Sequence, residues 1–204
     1  MLAALLLSIL LLSGLASLQA FPKLGAFGSR TGGVTMAAAA AAGAGKLPIY
    51  CDESVMAPKA HGTCDRPVQD KLRWDCDRTV ADRICCFNRH YAEYSGYWTK
   101  TSFLAEVDRD KETTYYDSVT GKPLFIAPRG RSFEDFEKES RSHGWPSFRD
   151  EEVVWENVRC LANGETVSLA GSHLGHLLPD KRGNRYCINL VSVAGRPESE
   201  VGAA

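Results

Sequence analysis

The chain has 204 residues, of which 24% are charged and 44% hydrophobic, with a formal net charge of −1. That size suits one ordinary domain once any leader is set aside, and a charge so close to zero excludes the basic stripe expected of a nucleic-acid-binding surface. Seven cysteines are too few for a disulfide scaffold at this length, and their odd number leaves at least one thiol free or paired between chains. No C-x-x-C occurs, which argues against a cysteine-rich zinc site.

Residues 1–20 are an apolar Leu/Ile/Ala run ending in small or polar residues at Ala20. That pattern suits a signal peptide better than an uncleaved anchor helix. Residues 21–50 carry Lys23, Arg30 and Lys46 but no acid, in an Ala/Gly- and hydroxyl-rich setting. The composition is that of a transit peptide, with a plain Gly/Ala linker as the alternative. Together the two segments resemble the bipartite presequence of algae with complex plastids. That resemblance implies a plastid stromal location, with no membrane association after leader removal; simple secretion is the alternative. A reducing compartment also agrees with the absence of paired cysteine spacing.

Residues 51–110 read as a partly helical N-terminal extension. Leu72, Val80, Ile84 and Phe87 approximate a helical stripe, and Asp77 or Thr79 is placed to cap a helix through Cys85 and Cys86. From 97 to 126 the composition turns toward strand around Tyr115, Tyr116, Val119, Phe125 and Ile126, with a turn at Gly121–Lys122–Pro123. Ser132, with Asp135 three residues on, predicts a capped helix start. From Val153 onward the chain predicts short strands: a hairpin turning at Asn163–Gly164, then a turn at 180–184 leading into a strand over 186–194. In that strand Cys187, Asn189, Val191 and Val193 share one face. Residues 198–204 read as a flexible tail.

The chemistry concentrates between GWPSF at 144–148, HLGH at 173–176 and RYCIN at 185–189. A cysteine attacks as its thiolate and needs a lowered pKa and access. Arg185 and Cys187, two apart, share a face on a strand and bring a guanidinium beside the sulfur. His173 and His176 aim at one point if their segment is a turn, supplying proton donors and acceptors near neutral pH. Trp145, held by a following proline, offers a flat apolar surface for a small methylated group. Each piece has a duller reading: a buried core cysteine, an incidental histidine pair, a core tryptophan.

In this fixed order the three motifs resemble those of the type B methionine sulfoxide reductase family, and the resemblance covers residues 115–194 from YYDSVTGKPLF onward. It implies a mainly β (α+β) fold of two small antiparallel sheets with short flanking helices, occupying residues 111–197. It also implies thiol-dependent reduction of methionine-R-sulfoxide, free or in oxidised proteins, by a monomer. By this resemblance Cys187 is the nucleophile and passes through a sulfenic acid, while the sulfoxide oxygen ends in water. His173 and His176 bind and protonate that oxygen, Arg185 stands beside the nucleophile, and Asn189 and Asp180 order the site. Trp145, with Phe148 of the same motif, receives the substrate. No resident cofactor is implied; the electrons come from an external dithiol such as a thioredoxin-like protein.

Two departures from the family pattern matter. Where many members carry two C-x-x-C pairs for structural zinc, this chain has Asp117–Thr120 and Val167–Ala170, which predicts no zinc and strands held by packing alone, with Phe125, Trp155 and Leu161 as candidates. The usual resolving cysteine before GWPSF is replaced by Ser142 and His143. Cys160, the Cys85/Cys86 pair and direct regeneration by a reductant remain open, with one of the vicinal thiols expected to be buried and the other exposed. Two other functions stay in view: a non-catalytic module binding methionine sulfoxide or a partner, and a transition-metal site on His173, His176 and Cys187.

Overall fold

The computed structural model describes residues 46–201. The signal-peptide reading and nearly all of the transit-like segment lie outside the described residues. Asp77, rather than Thr79, is the helix cap: its carboxylate accepts the N–H groups of Thr79 at 2.8 Å and Val80 at 3.0 Å. The capped helix α1 (Arg78–Asp82) passes directly into one π-helical turn over Arg83–Phe87. That turn is closed by the N–H of Asn88 donating to the carbonyl of Arg83, five residues back. The wider turn shifts the inward face. Ile84, Cys85 and Cys86 are therefore buried, while Phe87, expected on the stripe, is exposed.

Both vicinal cysteines are buried, which corrects the expectation of one buried and one exposed thiol. Cys86 is moreover joined to Cys64 in a disulfide, a pairing that the 22-residue separation does not signal. Residues 97–106, expected to turn toward strand, are helical instead. A 3-10 turn over Tyr97–Lys100 and α2 (Phe103–Glu106) carry Trp98 and Phe103 into the core. Strand composition takes effect later, in the antiparallel hairpin β1 (Thr113–Tyr116) and β2 (Pro123–Ala127), whose turn uses Gly121 at φ 77°.

Helix α3 (Phe133–His143) begins as predicted, with the Ser132 hydroxyl accepting the N–H of Asp135 at 3.1 Å. It buries Phe133, Phe136 and Ser140 and stops at Gly144, φ 90°. The second sheet holds β3 (Ser147–Phe148), β4 (Val158–Cys160), β5 (Glu165–Ser168), β6 (His173–Leu177) and β7 (Tyr186–Ile188) in the order β3-β7-β6-β5-β4, antiparallel throughout. The predicted hairpin at Asn163–Gly164 joins β4 to β5. The protein is thus α+β, with two small antiparallel sheets and few helices.

The predicted 186–194 strand is shorter than expected. It ends at Ile188, and Leu190–Ser192 form a 3-10 turn, so Val191 and Val193 do not continue the face of Cys187. The chain after Pro197 also departs from a plain tail, with a last helix α4 over Glu198–Val201.

One core draws on both halves of the chain. Trp74, Ile84, Trp98 and Phe103 pack with Tyr115, Phe125, Phe136, Phe148, Leu174 and Tyr186. Packing therefore crosses residue 111, the expected start of the motif-bearing domain. Burying each such large side chain contributes about 1.5–3 kcal/mol. Of the packing candidates, Phe125 stacks on Phe148 at 4.3 Å, Trp155 meets Tyr186 edge-on, and Leu161 joins a small cluster with Met56 and Val167. Packing is not alone, however. Asp117 is fully buried and accepts hydrogen bonds from the Ser172 hydroxyl at 3.0 and 3.2 Å and from the N–H of Val119 at 2.8 Å. This polar knot ties the 117–120 stretch to Ser172, just beyond the 167–170 stretch.

Candidate active site

On a regular strand, residues three apart point to opposite faces. His173 and His176 nevertheless meet, with ring centroids 5.6 Å apart. The reason is a β-bulge: Thr166 pairs with Gly175 and Val167 with His173, so Leu174 is the extra residue. The expected turn is therefore a bulged strand with the same consequence. Gly175 allows it, because a Cβ there would collide with the carbonyl oxygen of Cys187 on the neighbouring strand. β7 pairs with β6 so that Cys187 lies opposite His176.

These residues open on a cavity of about 300 Å³. Of the expected site residues, Cys187, His173, His176, Asn189 and Trp145 line it. Arg185 stands close enough to the sulfur for its charge to favour the thiolate. Two of its guanidinium nitrogens, Nε and Nη1, are buried without a hydrogen-bond partner among the described residues; the Asp180 carboxylate is 3.5 Å from Nε.

Phe148 and Asp180 do not line the cavity, which corrects their placement at the substrate. Phe148 pairs with Tyr186 and Ser147 with Cys187, so alternation sends the Phe148 ring to the opposite face, into the aromatic core. Asp180 lies in the turn after β6 and takes two hydrogen bonds from Arg149, at 2.8 and 3.1 Å. It braces the site from behind.

None of the three resolving candidates lines the cavity. Cys86 is cross-linked to Cys64, and Cys85 is fully buried, with its thiol pushed far up by burial. Cys160 is fully buried on β4, where burial raises its thiol to about 11. Cys187 carries the only thiol among the lining residues.

Besides Gly175 and Leu178, the remaining lining comes from a segment the sequence motifs did not mark. Arg89, His90, Tyr91 and Ala92 close one side of the cavity. Their backbone is pinned to the motif residues: the Trp145 indole donates to the Glu93 carbonyl at 3.0 Å, and the Glu93 N–H donates to the Asn189 side-chain oxygen at 3.0 Å. Arg89 reaches across to Glu165 with contacts of 2.6–3.1 Å, and Glu165 holds Nδ1 of His173 at 2.7 Å. No short motif singled out Arg89 or Glu93.

These partners set the protonation states. Burial pushes Glu165 up, but hydrogen bonds from His173 and Arg89 win and hold it near about 2. Glu165 is therefore an anion that only accepts, so His173 donates through Nδ1 and turns Nε2 away from the carboxylate. His176 is lowered by burial and by the neighbouring His173. Burial raises the Cys187 thiol, and Arg185 only partly offsets it. At Cys187 desolvation therefore outweighs the guanidinium placed beside the sulfur. The arrangement can move a proton from the thiol to a neutral imidazole and on to a bound oxygen. No protein-family model matches this chain.

Proposed function

We propose that this protein reduces methionine-R-sulfoxide to methionine, in a fold of the type B methionine sulfoxide reductase kind. The observation that carries the reading is one cavity bringing together the half-buried Cys187 thiol, both imidazoles of the 173–176 motif and the Trp145 ring. Trp145 takes the S-methyl group. The Cys187 proton passes to His176, the thiolate attacks the sulfoxide sulfur, and the histidine returns the proton to the oxygen. The unpartnered Arg185 donors supply charge that stabilises the thiolate as it forms.

The net change moves one oxygen atom from substrate sulfur to Cys187 sulfur, leaving methionine and a sulfenic acid. An external dithiol then reduces the sulfenic acid, releasing water and leaving as its own disulfide. The burial of Cys85 and Cys160 and the pairing of Cys86 favour this direct route over an internal resolving thiol. The site of action is proposed as the plastid stroma, with oxidised proteins or free methionine sulfoxide as substrates.

The test is turnover of the separated R and S epimers with a dithiol. Reduction of the R epimer, abolished by Cys187→Ser, is the expected result; undiminished turnover by that variant would sink the assignment. The absence of a second thiol from the cavity lining also favours one rival, a module that binds methionine sulfoxide without turning it over. Single-turnover chemistry separates them, because a pure binder forms no methionine.

A further inference from the structure

A second cluster of metal-ligating side chains lies outside the cavity, where residues 61–64 meet residues 82–86. His61 Nε2 is 2.9 Å from both oxygens of the Asp82 carboxylate. One donor atom each from His61, Asp82 and Cys86 lies within 4.8 Å of the others, and the second sulfur of the disulfide, on Cys64, is bonded to Cys86. A zinc ion with nitrogen, oxygen and sulfur ligands at about 2.0–2.3 Å in a tetrahedron holds its donor atoms about 3.3–3.8 Å apart. Small side-chain adjustments therefore suffice. His61 is 27% and Asp82 21% accessible, so an ion can approach from their side, while the two cysteines are buried beneath them.

The backbone around the cluster is organised independently of the sulfur–sulfur bond. His61 and Cys64 exchange backbone hydrogen bonds of 2.8 and 3.0 Å, and the N–H of Thr63 donates to the Cys86 carbonyl at 2.8 Å. The Thr63 hydroxyl adds a bond to the Gly171 carbonyl at 2.7 Å, tying the loop to the segment before β6. Cleaving the disulfide therefore leaves four donors of a Cys₂-His-Asp set on held backbone. Their long sequence spacing hides them from any short motif.

We propose that the Cys64–Cys86 disulfide and a zinc ion are alternative occupants of this cluster. An external dithiol delivers two electrons and two protons to the disulfide and leaves as its own disulfide, giving two thiols. Those thiols then bind Zn²⁺ together with His61 and Asp82, losing their two protons as thiolates. Either state anchors Cys86, three residues ahead of Arg89, and so keeps the 89–93 segment over the cavity in oxidising and reducing conditions alike. The inference does not depend on the proposed reductase activity.

The full chain carrying Cys187→Ser, which removes the competing thiol of the cavity, is reduced with a phosphine, freed of reductant and titrated with Co²⁺ as a spectroscopic stand-in for zinc. The expected result is one Co²⁺ per chain with a thiolate-to-cobalt band, displaced by Zn²⁺, and none in the oxidised protein. His61→Asn, a small polar replacement that cannot reach the Nε2 position, serves as the variant. Losing a direct ligand costs more than the about 10–100-fold that follows loss of an outer-shell partner, so Co²⁺ affinity falls by more than about 100-fold. Absence of the band in the reduced chain, an unchanged affinity in His61→Asn, or equal binding by the oxidised chain overturns the proposal.

Discussion

Glu93 and Glu165 are both buried acids bonded to residues that line the cavity, and their partners decide their charge. For Glu93 burial dominates over the N–H groups of Leu190 and Val191 and pushes the carboxyl from 4.5 up to about 8. The folded state then keeps a proton that the unfolded chain releases, so stability falls as pH rises from about 4.5 to about 8. Glu93→Gln should remove this group's share of the decline, read as urea midpoints at pH 5 and pH 8; an equal drop in both proteins would contradict it. Because charge on Glu93 raises the Cys187 thiol, the same variant should also shift thiol alkylation to lower pH. Glu165 behaves oppositely. Its folded value near about 2 lies below 4.5, so its contribution is complete above pH 4.5 and is lost as pH falls toward 2. Glu165→Gln should cost about 1.5–3 kcal/mol at neutral pH, the range for hydrogen bonds to charged groups, with wild type and variant converging in acid unfolding titrations.

At the level of elements, the bulge in β6 is what turns a three-residue histidine spacing into a facing pair. Its requirement is local and steric: the Gly175 backbone passes too close to the Cys187 carbonyl for any side chain. Gly175→Ala should part β6 from β7 beneath the nucleophile, lowering both the thermal midpoint and turnover, whereas a variant with wild-type values of both would refute the packing argument. The start of α1 gives a milder case. Asp77→Ala removes an acceptor of two helix N–H groups and should cost about 1 kcal/mol, measured by denaturant unfolding. The sequence narrowed that cap to Asp77 or Thr79 and revealed the Ser132 cap of α3 and the Asn163–Gly164 hairpin, because each depends on residues within a few positions. The helical course of 97–106 was not legible, since the aromatic Trp98 and Phe103 favour strands in isolation and are recruited to helices by the core they fill.

Across the whole molecule, residues before 111 act as structural members of the motif-bearing part. They supply Trp74, Trp98 and Phe103 to the shared core, and Arg89–Ala92 to the cavity wall. A fragment of residues 111–204 should therefore show neither cooperative unfolding nor sulfoxide turnover, monitored by circular dichroism and the R-epimer assay. A folded, active fragment would show that the shared core is dispensable.

Short motifs and the family resemblance marked Cys187, Arg185, His173, His176 and Trp145 as candidates, and the fold brings Cys187, both histidines and Trp145 to one cavity. The α+β class came from the family resemblance, and the structure shows it as two small antiparallel sheets with few helices. The tertiary structure alone decided which groups surround the motifs. Phe148 went to the core by strand alternation, Cys86 was claimed by Cys64, and the wall of the cavity came from residues 89–93. It also decided the direction in which the Cys187 pKa moves, because a pKa depends on burial summed over the whole fold, whereas a sequence displays only the arginine two residues away.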